Sequence, residues 1–148
     1  MKVSIITITY NSEATLKDTI NSVVSQTYSD IEYILIDGKS TDNTISIIKS
    51  YGNKISTLVS EKDKGLYDAL NKGISLATGD IIGILHSDDF YTDTHVIQKV
   101  VDTFNKSHAD AVYADLYYVD KDNTNTIHRK WKSGEYTHGM FLNGWMPP

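Results

Sequence analysis

Hydrophobic positions along the chain follow two different spacings in turn. Short runs rich in Val and Ile, typical of buried strands, occur at residues 3–8, 32–36, 55–60 and 80–85. After each run, apolar residues recur every three or four positions, which predicts one helix after each strand. Asn11-Ser12 is the expected cap of the first helix. Strands that alternate with helices predict an α/β fold, a three-layer α/β/α sandwich around a mainly parallel sheet.

The last third of the chain has a less regular pattern. Residues 111–114 and 116–119 are short apolar runs that predict strands, and Asp122-Asn123 predicts a turn into a further strand at 126–131. No repeat, low-complexity tract or linker divides the sequence, so we expect a single domain over residues 1–148. The final residues contain no capping element, and we expect the natural polypeptide to continue past them.

Composition and charge narrow the function classes. The 148 residues carry a net charge of -5, which argues against a nucleic-acid surface, because such a surface needs clustered Lys and Arg. The absence of cysteine excludes disulfides and thiolate metal sites and fits the cytosol. No apolar run approaches the ~20 residues that a membrane-spanning helix needs. A small phosphorylated ligand remains compatible, since a metal ion can supply positive charge locally.

Polar residues gather where the predicted strands end. The four clusters are Thr9 to Asn11, Asp37 to Asp42, Glu61 to Gly65, and His86 to Asp89. In a parallel sheet these ends meet at one edge, where α/β folds bind their ligands. The sequence lacks the glycine-rich loops of dinucleotide sites and P-loops, the Gly-x-Ser-x-Gly nucleophile motif, and His residues at metal-ligand spacing. The four clusters therefore predict one polar crevice of a different kind.

The most informative pair in these clusters is Asp88-Asp89. Adjacent carboxylates repel each other unless a cation neutralises them, and oxygen ligands favour Mg²⁺ or Mn²⁺ bound together with substrate phosphates. The alternative is that one of the two caps the next helix, because Asp is common at such turns. Asp37 is equally ambiguous: it can accept hydrogen bonds from a base or ribose, or it can be a turn residue beside Gly38.

Other polar and glycine residues of the clusters allow two interpretations each. Tyr10 can stack on a base, although a lone tyrosine is more often a partly buried structural aromatic. Lys64 and Lys72 can meet phosphate, whereas an isolated lysine is usually a solvated surface residue. Gly38 and Gly65 provide either close backbone approach or a positive φ in a turn. The residues alone do not decide between these alternatives.

Taken together, four segments resemble the family 2 glycosyltransferases, which have the GT-A fold with a Rossmann-like sheet. The segments are residues 4–11, 36–42, 60–73 and 77–89, and they stand in the order and at the strand ends expected of that family. The resemblance is close up to about residue 90 and looser from there onward. Lys39 and His86 depart from it, since a small residue and an Asn or Asp are common at those positions.

The resemblance implies transfer of a sugar from a UDP-sugar to an acceptor hydroxyl, with inversion at the anomeric carbon. The residues that would bind the nucleotide sugar are Thr9, Tyr10, Asn11, Glu13, Asp37, Asp63, Lys64, Gly65, Asn71 and Asp88. Within this set, Asp37 would accept the uracil N3–H, Asp88 would contact the ribose, and residues 63–65 would lie near the ribose or diphosphate. Asp89 would coordinate Mg²⁺ or Mn²⁺.

The resemblance also implies partners and a setting. The acceptor would be a saccharide or a lipid-linked saccharide in bacterial polysaccharide or lipopolysaccharide synthesis, and the general base would lie beyond Pro148. The protein would act in the cytoplasm, free or attached peripherally to the inner membrane face, without nucleic acid or a transmembrane segment, and a dimer is compatible. Two other functions stay open: a nucleotide-sugar-binding module without catalysis, and a nucleotidyltransferase.

Overall fold

The computed structural model describes residues 1–146, and residues 1–102 form one compact unit around a parallel sheet. Its strands are β1 (Val3–Thr9), β2 (Ile31–Asp37), β3 (Thr57–Ser60) and β4 (Ile81–Ile84). They lie in the order β3-β2-β1-β4, and every neighbouring pair is parallel. The predicted α/β fold with a mainly parallel sheet is therefore confirmed. Pro147 and Pro148, the end of the segment expected to lack a capping element, lie outside the described residues.

Helices connect the strands, as the apolar spacing predicts. They are α1 (Leu16–Val24), α2 (Thr44–Ser50), α3 (Leu66–Leu76) and α4 (Val96–Ser107). The prediction that Asn11-Ser12 caps the first helix is wrong. Asn11 has a left-handed φ of 50°, and the carbonyl of Ser12 accepts the amides of Thr15 and Leu16, so a turn precedes the helix. The loop after β1 is longer than expected, and this leaves room for a site.

The core beside the site lies between α3 and the two central strands. Ile6 and Ile8 of β1, Ile34 and Ile36 of β2, and Ala69 of α3 form one buried cluster. Gly73 lets the helix approach closely: a Cβ at this position would lie 2.5 Å from Cγ2 of Ile6. The helix that follows β3 is thus fixed tightly against the sheet, and its first turn lies near the strand ends.

A carboxylate fastens the opposite end of the sheet. Glu32 accepts hydrogen bonds from Lys2 Nζ (2.8 Å), Ser4 Oγ (2.6 Å), and both the amide and the hydroxyl of Thr78 (2.8 Å each). Burial opposes ionisation of this group, but the hydrogen bonds prevail and lower its pKa from 4.5 to about 2. Glu32 therefore links β1, β2 and the segment that leads into β4.

The described residues from Thr103 onward, 103–146, form a second compact unit. Its strands β5 (Leu116–Val119) and β6 (Ile127–Trp131) pair antiparallel, which confirms the two strands of the expected hairpin. The prediction of a strand at 111–114 is wrong. Side-chain contacts hold this segment, and within the described residues it forms no backbone hydrogen-bond ladder with another strand. The hydroxyl of Tyr113 donates to the carbonyl of Gly134 (3.1 Å), and its ring meets Trp145 edge-on at 5.3 Å.

The expectation of a single domain over residues 1–148 stays a prediction. Within residues 1–146, no helix has both the length and the apolar character needed to cross a membrane.

Candidate functional site

A cleft of about 360 Å³ opens at the carboxyl ends of the parallel strands. Its lining comes from three of the four polar clusters and the start of α3. The lining residues are Ile8, Thr9, Tyr10, Ser12, Asp63, Gly65, Leu66, Ala69, His86, Ser87 and Asp88. Predicted site residues that the structure brings together here are Thr9, Tyr10, Asp63, Gly65 and Asp88. The volume is in the range of small-molecule sites in proteins.

Two side chains at the end of β1 face this cleft with different exposure. Thr9 is only 5% exposed, and its hydroxyl has no hydrogen-bond partner within residues 1–146. A buried hydroxyl without a partner costs about 1–3 kcal/mol, so such groups usually await a ligand or an ordered water. Tyr10 is 63% exposed, which leaves its ring free to stack. The end of β1 thus offers one polar atom and one aromatic face.

Asp37 lies at the end of β2 but does not line the cleft. It has no exposed surface, and its carboxylate accepts the amide of Ser40 (3.0 Å), the hydroxyl of Ser40 (2.5 Å) and the hydroxyl of Ser60 (2.7 Å). These bonds close the turn after β2 and join it to the end of β3. Binding of uracil by Asp37 stays a prediction, and the structure gives this carboxylate a different task.

Asn11 and Glu13 also belong to the supports of the cleft. The side-chain oxygen of Asn11 accepts the backbone amide of Thr41 (2.9 Å), and the backbone amide of Asn11 donates to Ser40 Oγ (2.8 Å). Glu13 accepts the amide of Asn43 at 2.8 Å, just before α2 begins. These two residues join the loop after β1 to the loop after β2, and their expected contact with the nucleotide stays a prediction.

A second bridge joins the loops after β1 and β4. Ser12 Oγ lies 3.0 Å from Ser87 Oγ, and the hydroxyl of Thr15 donates to the carbonyl of Ser87 (2.8 Å). Sequence reasoning did not single out Ser12 or Ser87 as site residues. Their position at strand ends was the only signal, because serine is common in every loop.

Gly38 after β2 and Gly65 after β3 have different roles, one of close backbone approach and one of a positive φ. Gly38 has no positive φ, but a Cβ there would lie 2.8 Å from Oδ2 of Asp63 and 3.4 Å from Cδ2 of Tyr10. Gly65 has a φ of 116°, and its amide donates to Oδ1 of Asp63 at 3.0 Å. Gly38 therefore provides close approach, whereas Gly65 provides the left-handed turn that starts α3.

The side chain of Lys72 holds the loop after β3 in place. Lys72 Nζ lies 2.9 Å from Glu61 and 3.4 Å from Asp68, and the Asp68 carboxylate also accepts the amide of Lys64 (3.0 Å). Lys64 and Asn71, both expected near the nucleotide, are exposed and do not line the cleft. Lys72 thus acts as a clamp between α3 and the loop in this structure.

Of the acidic pair after β4, Asp88 lies at the other wall of the cleft, whereas Asp89 is not among the residues that line it. Asp88 lines the cleft, and Asp89 follows it with its amide donating to the carbonyl of His86 (3.1 Å). Partial burial raises the pKa of Asp89, and the neighbouring charge of Asp88 raises it further. A cation beside the pair would relieve this repulsion.

The donor set of the cleft fits a Mg²⁺ or Mn²⁺ ion that is completed by its ligand. Residues 1–146 contain no group of three or more His or acidic side chains that could hold a metal by themselves. One or two carboxylates plus substrate phosphates are, however, the usual ligands of Mg²⁺. The lining contains the carboxylates of Asp63 and Asp88 but no Lys or Arg, so a bound diphosphate needs a cation.

Comparison with known proteins gives a consistent result. The family model described as glycosyl transferase family 2 matches residues 4–146. An uncharacterized glycosyltransferase of Nostoc sp. (strain PCC 7120) is 35% identical over 124 residues, which cover 81% of this chain and 38% of the relative.

Two solved structures share the fold and carry nucleotide ligands. The Staphylococcus aureus TarS 1-349 complex with UDP-GlcNAc has a TM-score of 0.68 and 27% identity, covering 74% of this chain and 33% of that one. The mannosyltransferase PcManGT from Pyrobaculum calidifontis, in complex with GDP-Man and Mn²⁺, has a TM-score of 0.65 and 25% identity, covering 80% and 35%. The chain thus spans less than half the length of these proteins. Motifs, fold and family match agree: the chain belongs to glycosyl transferase family 2.

Proposed function

We propose that this chain is the donor-binding part of an inverting, metal-dependent glycosyltransferase that uses a UDP-sugar. One observation carries the proposal: Thr9 lines a cleft at the strand ends, and its buried hydroxyl has no partner within residues 1–146. A nucleotide that enters this cleft would satisfy that hydroxyl and stack on the exposed ring of Tyr10. The family match supports a sugar nucleotide as the ligand.

The choice of UDP rests on the resemblance of the motifs and on the similarity to TarS. TarS binds UDP-GlcNAc, whereas PcManGT binds GDP-Man, so this fold accommodates both kinds of base. The acceptor would be a saccharide, free or lipid-linked, in polysaccharide synthesis in the cytoplasm or at the inner membrane face.

The acidic pair after β4 would hold the metal, with Asp89 as the protein ligand. When bound, Mg²⁺ or Mn²⁺ acts as a Lewis acid that stabilises the charge on the leaving diphosphate. The part of this chain is to orient the nucleotide. Asp88 would contact the ribose, and the loop that Lys72 clamps would keep Asp63 and Gly65 in place.

Calorimetry of UDP, CDP and GDP, each with and without Mn²⁺, tests this proposal. We expect UDP to bind at least about tenfold more tightly with Mn²⁺ than without it, because the cleft offers no other cation. Asp89→Asn should remove the Mn²⁺ effect, while Asp30→Asn, the same change at an exposed position just before β2 and at the opposite end of that strand from the cleft, should leave it intact. Equal UDP binding by wild type and Asp89→Asn would contradict the metal assignment.

Product analysis separates the other two functions. Release of sugar from a UDP-sugar by the chain supports a transferase. Tight binding without any turnover in the presence of acceptors would instead indicate a binding module. Formation of pyrophosphate from UTP and a sugar phosphate would indicate a nucleotidyltransferase.

A further inference from the structure

The loops after β2 and β3 meet above Gly38, at the edge of the cleft. The missing side chain of Gly38 leaves a space that Oδ2 of Asp63 and the ring of Tyr10 occupy from two sides, at 2.8 and 3.4 Å from the position of a Cβ. Both of these neighbours line the cleft. A carboxylate oxygen and an aromatic face are therefore presented together to the same volume.

The two oxygens of Asp63 have different surroundings. Oδ1 accepts the amide of Gly65 at 3.0 Å, which fixes the direction of the carboxylate. Oδ2 has no hydrogen-bond partner in the described part of the chain, residues 1–146. Asp37, the other carboxylate near the end of β2, has no exposed surface and accepts three hydrogen bonds from Ser40 and Ser60. Asp63 is the acid of this corner that a ligand can reach.

We propose that Oδ2 of Asp63 accepts the N3–H of uracil and thereby distinguishes uridine from cytidine nucleotides. This inference rests on the proposed binding of a UDP-sugar. An ionised carboxylate only accepts hydrogen bonds, uracil has a hydrogen at N3, and cytosine has a lone pair there. A carboxylate therefore attracts the first base and repels the second. The task expected of Asp37 is moved to Asp63, and Gly38 is the residue that makes room for it.

Preorganisation strengthens the discrimination. Lys72 bridges Glu61 before Asp63 and Asp68 after it, so the loop is closed on both sides. A carboxylate that is already oriented loses little entropy when the base arrives, and a mismatched base cannot easily push it aside.

Calorimetry with UDP and CDP in the presence of Mn²⁺ tests the assignment. Wild type should bind UDP at least about tenfold more tightly than CDP, since the contact is charge-assisted. Asp63→Asn keeps an oxygen for the amide of Gly65 but adds an NH₂ group that can donate to cytosine N3. We expect this variant to lose at least about tenfold in UDP affinity and to bring the UDP:CDP ratio to about one or below. Asp30→Asn, an exposed acid at the other end of β2, should keep the wild-type ratio.

A modified ligand tests the same contact from the other side. UDP methylated at N3 lacks the proton, so wild type should bind it at least about tenfold more weakly than UDP. Asp63→Asn should show a much smaller difference between the two ligands, because it has already lost the contact. Equal loss of UDP and CDP affinity in Asp63→Asn, or an unchanged penalty for the methyl group, would overturn the inference. If wild type binds no nucleoside diphosphate at all, the proposed function fails as well, whereas UDP binding with an unchanged ratio rejects only the role of Asp63.

Discussion

The unpartnered hydroxyl of Thr9 leads to a prediction in which stability and binding change in opposite directions. Thr9→Val removes the hydroxyl and leaves a side chain of nearly the same shape. Since Thr9 is 5% exposed and its hydroxyl has no partner among the described residues, the desolvation penalty of this hydroxyl lowers the stability of the free protein by nearly its full amount. We expect the free energy of unfolding of the variant to be about 1 kcal/mol higher than that of wild type. For a chain of this size this corresponds to a Tm higher by about 2–4 °C.

Ligand binding should change in the other direction. If the hydroxyl binds the nucleotide, its removal costs about 1–1.4 kcal/mol of binding free energy, or about five- to tenfold in Kd. Thermal or urea unfolding measures the first effect, and calorimetry with UDP and Mn²⁺ measures the second. A general disturbance of the fold would lower both stability and affinity, so opposite signs are diagnostic.

The chain contains a matched control for this experiment. Thr19 of α1 is 1% exposed, its hydroxyl also has no partner within residues 1–146, and it does not line the cleft. Thr19→Val should stabilise the protein by a similar amount and leave UDP affinity unchanged. If Thr9→Val destabilises the free protein and binds UDP as wild type does, the hydroxyl has a structural partner and no ligand role.

Three further substitutions test the supports of the site. Glu32→Gln should lower the free energy of unfolding by about 2 kcal/mol at pH 7. The pKa of Glu32 is about 2 in the folded protein and 4.5 ordinarily, so this difference should shrink as the pH falls below 4.5, which denaturant titrations at several pH values would measure. Gly38→Ala should weaken UDP binding about fivefold or more in calorimetry with little change in Tm, since the new Cβ displaces the carboxylate of Asp63; an unchanged Kd would refute the close-approach argument. Gly73→Ala should lower stability by about 1–3 kcal/mol in urea unfolding, because its Cβ would lie 2.5 Å from Ile6 and force α3 outward.

The alternation of strands and helices in the sequence is enough to predict where the cleft lies. Parallel strands end at one edge, so clusters that are far apart in sequence, such as Thr9 and Asp88, could be expected in one site, and the structure places both in the cleft. The apolar stripe of α1 and the paired strands β5 and β6 were predictable for a different reason: they depend on local spacing alone.

Residue roles within the site depend on contacts that sequence spacing does not reveal. Asp37 accepts two hydrogen bonds from nearby Ser40, but its third comes from Ser60, 23 positions later, because the register of β2 and β3 pairs these two residues. Glu13 reaches Asn43 because the loop after β1 is longer than its capping pattern suggested. Residues 111–114 have strand composition, yet the hydrogen bond and ring contact of Tyr113 hold them outside a ladder. In each case a partner distant in sequence decides the outcome.

The serine and asparagine bridges among the strand-end loops have a thermodynamic consequence. Asn11 with Thr41, and Ser12 with Ser87, connect three backbone segments through short side chains that have few rotamers to lose. The binding site for a nucleotide would therefore be preorganised, and binding would bury little protein surface beyond the area that contacts the nucleotide. The heat-capacity change of association should accordingly be small, far below that of a ligand whose binding orders a disordered segment.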